Sequence, residues 1–152
     1  MRGVLFTEPD MPACPLCTAP GGAILWQDDF CRIILADEPD HPGFLRVIAK
    51  DHVKEMTDLA PADRDTLMRV VWAAEAALRE VMAPDKVNLA SLGNVVPHLH
   101  WHVIPRYADD PHFPNPVWGG RKRDTPHAAP AAVDAQLTAA LSRRLGRARE
   151  TE

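Results

Sequence analysis

Apolar residues along this chain recur with two different periods, and the switches between them mark out the elements. Residues 24–27 and 30–36 read as short strands joined by an Asp28-Asp29 turn, and residues 44–49 as a third strand after a proline-bearing loop at 37–43. From Pro61 the period lengthens. Leu67, Val70, Val71, Ala74, Leu78, Val81 and Met82 fall on one face of a helix that Pro84 ends. Residues 87–92 predict another strand, Gly93-Asn94 a turn, and Pro97 the opening of a strand over 98–104. Residues 111–120 carry prolines and paired glycines and read as extended, with Phe113 and Trp118 as apolar anchors. Residues 130–149, rich in alanine and leucine, predict a second helix. Short strands around one long helix predict an α+β fold: an antiparallel sheet of about five strands, the long helix and a C-terminal helix.

The strand over 98–104 reads His98-Leu99-His100-Trp101-His102-Val103-Ile104. Side chains alternate faces along a strand, so three imidazoles share one side while Leu99, Trp101 and Val103 pack on the other. Two chemistries follow. Three histidines can bind a metal ion that activates water. Alternatively, one imidazole attacks phosphorus while its neighbours orient it and neutralise charge. Successive same-face residues lie roughly 7 Å apart along a strand, which makes convergence of all three on one ion awkward.

Length and composition limit the partners. At 152 residues, 46% hydrophobic and 25% charged, the chain suits one soluble domain. A net charge of −4 argues against a nucleic-acid-binding surface, and Arg121-Lys122-Arg123 reads as solvated surface. No apolar run reaches the roughly 18 residues a membrane helix needs, and residues 1–6 are too short an apolar start for a signal peptide. Cys14, Cys17 and Cys31 are odd in number and too few for a disulfide framework, which predicts reduced thiols and a cytoplasmic protein. Cys14-X-X-Cys17 is half a zinc knuckle and needs two further ligands. His41, His112 and His127 stand beside prolines and read as surface residues, and Cys31 as packing.

The stretch from His98 to Ile104 resembles the signature of the histidine triad (HIT) family, His-X-His-X-His-X-X with apolar X. The resemblance extends over residues 14–106 and includes the strand running into Lys50-Asp51-His52, Asn88 and the Gly93-Asn94 turn. The proline-rich segment through Trp118 looks like that of a bacterial subgroup. The resemblance implies a nucleotide hydrolase or nucleotidyltransferase acting at the α-phosphorus of a purine nucleotide derivative, of dinucleoside polyphosphate or nucleoside phosphoramidate type. It also implies a homodimer whose sheets join, and no organic cofactor. By position, His100 is the nucleophile, His102 a donor to a phosphate oxygen, and Asn88 and Asn94 donors to phosphate or ribose, Asn94 also serving catalysis. Asp37 corresponds to an acidic residue that grips the ribose hydroxyls.

Two positions depart from the family pattern. Asn94 stands where glutamine is frequent, and Val95 where many relatives carry a leaving-group hydroxyl, which weakens the case for phosphoramidate cleavage. Some bacterial members pair an N-terminal CxxC with two histidines, so the resemblance implies a structural zinc on Cys14, Cys17, His52 and His98. It divides the chain into a HIT domain with its knuckle and proline-rich segment, residues 1–120, and a partly helical tail, residues 121–152. A metal-dependent hydrolase using all three histidines, and a nucleotide-sensing protein with little turnover, stand as alternatives.

Overall fold

The computed structural model describes residues 13–147. The start at residues 1–6 and the end of the predicted C-terminal helix toward Arg149 lie outside the described residues. Strands β1 (Ala23–Gln27), β2 (Cys31–Leu35), β3 (Leu45–Ala49), β4 (Lys86–Ala90) and β5 (His100–Arg106) form one antiparallel sheet in the order β1-β2-β3-β5-β4. Helix α1 (Pro15–Thr18) precedes the sheet, α2 (Pro61–Met82) links β3 to β4, and α3 (Val133–Leu145) follows β5. No described helix is long and apolar enough to cross a membrane.

Each strand divides its residues between two faces, as period two requires. On one face Ile33, Leu45, Val47 and Val103 meet the α2 stripe of Leu67, Val71, Ala74 and Leu78 in a fully buried core. Pro61 in the first turn suits α2, where its missing N–H has no intrahelical partner to lose. Ala83, in the left-handed conformation at φ 44°, and then Pro84 stop it. Gly43 permits a close approach beneath this helix: a Cβ there would come within 2.8 Å of Met82 Cε, at φ +85°. The other face carries a smaller apolar cluster of Ile34, Ala36, Phe44, Ile48 and Ile104. His100 and His102 stand on that second face.

The described residues after 120 pack against the rest of the domain. Leu137, Ala140 and Leu141 of α3 are fully buried in the same core as α2. Arg143 and Arg144, in the last turn of α3, both reach Glu80 on α2. Arg121 pairs with Asp40, and Arg123 donates to the backbone oxygens of Asp110 and Phe113, so two members of the basic cluster pin loops.

The histidine strand begins later and ends later than its alternation suggests. His98 lies before β5 because its backbone N–H closes a turn onto Val96 O, at 2.8 Å. Leu99 instead bridges Val53 O and Ala49 N. At the other end the strand runs through Pro105 to Arg106, held by β4 partners Val87 and Lys86. The buried Arg106 is satisfied by Asp110 at 2.8 Å, by Asn88 Oδ1 at 2.8 Å and by Asn115 O at 2.7 Å. Burial pushes the Asp110 carboxyl up, but Arg106 and the N–H groups of Tyr107, His112 and Phe113 together hold it well below the usual carboxylate range. β4 ends at Ala90, so Ser91 and Leu92 leave the sheet and form part of a rim over the histidines.

Candidate active site and metal centre

The register of β3 against β5 builds the site. His102 lies opposite Arg46 and His100 opposite Ile48, so the two imidazoles share a face with an arginine. Their rings meet edge to face with centroids 5.0 Å apart. They floor a cleft of about 500 Å³. Its walls come from Leu16 of α1, from the loop carrying Gly93, Asn94 and Val95, and from Trp118, whose ring meets His102 edge-on at 5.0 Å. Gly93 adopts φ +70°, a conformation that favours glycine, and so lets the loop turn back over the strand.

Hydrogen bonds decide which ring nitrogen does what. A carbonyl oxygen only accepts, so His100 Nδ1 donates to His98 O at 2.6 Å and the neutral ring keeps its lone pair on Nε2. Arg46 Nε donates to His102 Nδ1 at 3.4 Å, which leaves the His102 proton on Nε2. Burial, the neighbouring His100 and then Arg46 depress the His102 pKa to about 4. His102 is therefore a neutral N–H donor near pH 7.

His98 belongs to a different assembly. Its Nε2 donates to Ala49 O at 2.6 Å, which turns Nδ1 toward Cys14 Sγ at 3.5 Å and Cys17 Sγ at 3.4 Å. His52 Nδ1 lies 3.3 Å from Cys17 Sγ, and the four ligand atoms all fall within 4.8 Å of one another. Tetrahedral zinc with ordinary Zn–S and Zn–N bonds sets S···N edges of about 3.6 Å, close to these distances. The chemistry also fits. Burial and the adjacent Cys14 push the Cys17 thiol up, so a cation is what would let both sulfurs ionise together. The Ala49 carbonyl supplies the outer hydrogen bond that orients a ligating imidazole. Cys14, Cys17, His52 and His98 can thus hold a metal ion with no open position. The three triad imidazoles do not converge on one point, because His98 faces the sulfurs.

The remaining sequence expectations fare unevenly. Asn94 lines the cleft. Asn88 does not; it lies on β4, and its Oδ1 accepts from Arg106 Nη1. Asp37 follows β2 on an exposed loop and is not among the lining residues. The surface reading of His41 and His112 is corrected. His41 is buried and its Nε2 meets His112 Nδ1 at 2.9 Å, because the segment after β5 folds back onto loop 37–43. His127 stacks on Tyr107 at 3.6 Å between centroids and bonds Asp109, so it too is packed. The residue that pattern reading missed is Arg46. Strand alternation places it with Phe44 and Ile48 on the second face, and a lone charge within that apolar run was the available signal.

The His102 and His41 pKa values lie below 6.5, burial being the first cause in both. Unfolded histidine takes up its proton at higher pH than these buried rings, so stability is present above 6.5 and drains as pH falls toward their folded values. For His102, falling from 6.5 to about 4, the loss between pH 7 and pH 5 is on the order of 2 kcal/mol. Urea midpoints at both pH values, in the parent and in His102→Gln, read it directly. The parent should lose more on acidification than the variant, a difference that cancels protonation of the metal ligands. Equal losses in the two proteins would refute the assignment.

The HIT domain pattern matches residues 21–109. Among curated relatives, an AP-4-A phosphorylase of Mycobacterium tuberculosis is 26% identical over 121 residues, covering 72% of this chain and 62% of that protein. Adenylylsulfatase HINT3 of Arabidopsis thaliana is 30% identical over 91 residues, covering 57% of this chain and 46% of that one. The chain thus spans less than two thirds of the length of either relative. A zinc-bound histidine triad family protein of Mycobacterium smegmatis superposes with a TM-score of 0.64 at 25% identity, covering 88% of this chain and 96% of that one. With the five-stranded antiparallel sheet and its paired imidazoles, the match over residues 21–109 shows that this chain belongs to the HIT domain family.

Proposed function

We propose that the protein is a nucleotide hydrolase or nucleotidyltransferase that works at the α-phosphorus of a purine nucleotide derivative through a nucleotidyl-His100 intermediate. One observation carries the reading: the His100 Nδ1–H bond to His98 O, which leaves Nε2 unprotonated beside an open cleft. Its lone pair attacks phosphorus, the P–N bond forms, and the leaving group departs with the electrons of the broken bond. Water then attacks the same phosphorus, loses its proton to solvent, and returns the electron pair to His100. His102 Nε2–H and the Asn94 amide donate to the non-bridging oxygens where negative charge gathers. Asn88 acts indirectly, by holding Arg106 at the end of the histidine strand. Asp37, exposed just after β2, is proposed to hold the ribose hydroxyls.

The four-ligand cluster is proposed as a structural zinc site that ties α1 to the residues before β5. It would keep Leu16 in the cleft wall. The outer edge of β4, unpaired among the described residues, supports a homodimer in which two sheets join, and the exposed Trp72 on α2 offers apolar surface for it. The cysteines are all free, which supports a reducing, cytoplasmic setting. Residues 1–120 are proposed to carry the activity, with the segment from 121 buttressing the core.

The test is to quench the protein during turnover of diadenosine tetraphosphate and weigh it intact. An acid-labile adenylyl adduct mapping to the peptide with His100 is the expected result. Mononucleotide release without any adduct would overturn the covalent route. Tight binding without adduct or product would leave the nucleotide-sensing reading.

A further inference from the structure

Arg46 is the one formally charged side chain among the described residues lining the cleft. It is held on three sides: Nε donates to His102 Nδ1 at 3.4 Å, Nη2 meets Glu38 Oε1 at 3.4 Å, and the guanidinium lies 5.2 Å from the centre of the Phe44 ring. A guanidinium has five N–H donors, and these bonds engage two. Glu38 is a half-open partner, with its side chain 42% exposed, so its pair with Arg46 is weak and open to exchange for an incoming anion. The opposite rim is apolar: Val95 is 94% exposed at the cleft mouth, flanked by the exposed Leu92 and by Val96.

That combination has a consequence for the leaving group. When His100 Nε2 displaces a phosphate from an anhydride, the P–O electrons leave on an anion, and that anion needs neutralisation but no proton. When it displaces an amine from a phosphoramidate, the P–N electrons must be met by a proton. The described residues lining this cleft hold no carboxylic acid, hydroxyl or thiol to give one, Ser91 lying in the adjoining pocket, and the proposed mechanism commits the His102 Nε2–H to a phosphate oxygen.

Resting on the proposed function, we infer that Arg46 is the specificity-determining residue of this site, selecting anionic leaving groups (nucleoside polyphosphates and related anhydrides) over amines while holding His102 in its donor tautomer. Groups facing His102 are then Arg46 from β3, His100 from its own strand and Trp118 from the segment beyond, with Glu38 behind Arg46.

The experiment compares diadenosine tetraphosphate with adenosine 5′-phosphoramidate in the parent, Arg46→Gln and Arg46→Lys. The parent should favour the anhydride in kcat/KM. Arg46→Gln should lose about 30-fold on the anhydride, the size of a charged hydrogen bond, and at least about tenfold less on the phosphoramidate. Arg46→Lys should recover part of that preference. Equal losses on both substrates, or none, would overturn the inference. If the parent cleaves neither substrate, the nucleotidyl-transfer reading fails on its own. The inference is then judged by binding, where Arg46→Gln must weaken ADP more than AMP, and parallel weakening would overturn it.

Discussion

His100→Asn should lower turnover of a nucleotide anhydride by at least about 10⁴-fold, the order seen when a covalent nucleophile is deleted from an otherwise intact site. Asparagine is the informative replacement because its amide nitrogen takes roughly the place of Nδ1. It can still donate to His98 O, so the backbone before β5 keeps its turn. What it lacks is the Nε2 lone pair. Nucleotide affinity should therefore change far less than kcat, with Arg46, His102 and Asn94 still lining the cleft. Single-turnover kinetics beside equilibrium binding of AMP separates the two quantities. A variant that turns over as fast as the parent would end the covalent mechanism.

Cys17→Ser should release the bound metal and lower Tm by roughly 8–16 °C, corresponding to a loss of about 4 kcal/mol in a chain of this size. The figure sits well below the roughly 10–16 kcal/mol by which zinc drives folding of finger peptides, because this domain has its own core under α2 and α3. Cys17 is chosen because its sulfur lies within 3.5 Å of both ligand imidazoles, at 3.3 Å from His52 and 3.4 Å from His98. Activity should fall as well, since unlatching α1 withdraws Leu16 from the cleft wall. Elemental analysis with thermal melts checks it, and the His100→Asn protein is the control. That control should keep its metal, because His100 is outside the cluster. Full metal content in Cys17→Ser would defeat the centre as assigned. Metal lost only from His100→Asn would revive an ion held by the triad.

The elements were legible where one period ran without interruption. The α2 stripe from Leu67 to Met82 and the apolar runs of β2 and β3 are set by hydrophobic pattern, and the observed elements follow it within a residue or two. Ends were harder. His98 continues the alternation perfectly, yet its backbone N–H goes to Val96 O and the strand starts at His100. Pro105 looks like a terminator, but β4 pairs past it to Arg106. Both outcomes depend on which distant segment supplies the hydrogen-bond partner.

The site divides in the same way. Chemistry carried by one strand was readable from the chain, as were the four metal-ligand candidates that the family likeness brings together. Arg46 joined the site only through the β3–β5 register, and Asn88 was claimed by Arg106, which also binds Asp110 and Asn115. His41 and His112 meet across 71 positions of sequence, beyond the reach of any local pattern.

The sequence by itself determined the α+β alternation and the face on which His100 and His102 project, because periodicity is a local property of the backbone. Only the tertiary structure decided which nitrogen of each imidazole is free and which charge stands beside it. Those outcomes follow from hydrogen bonds and strand register between segments far apart in the chain, where packing, not local preference, chooses the partner.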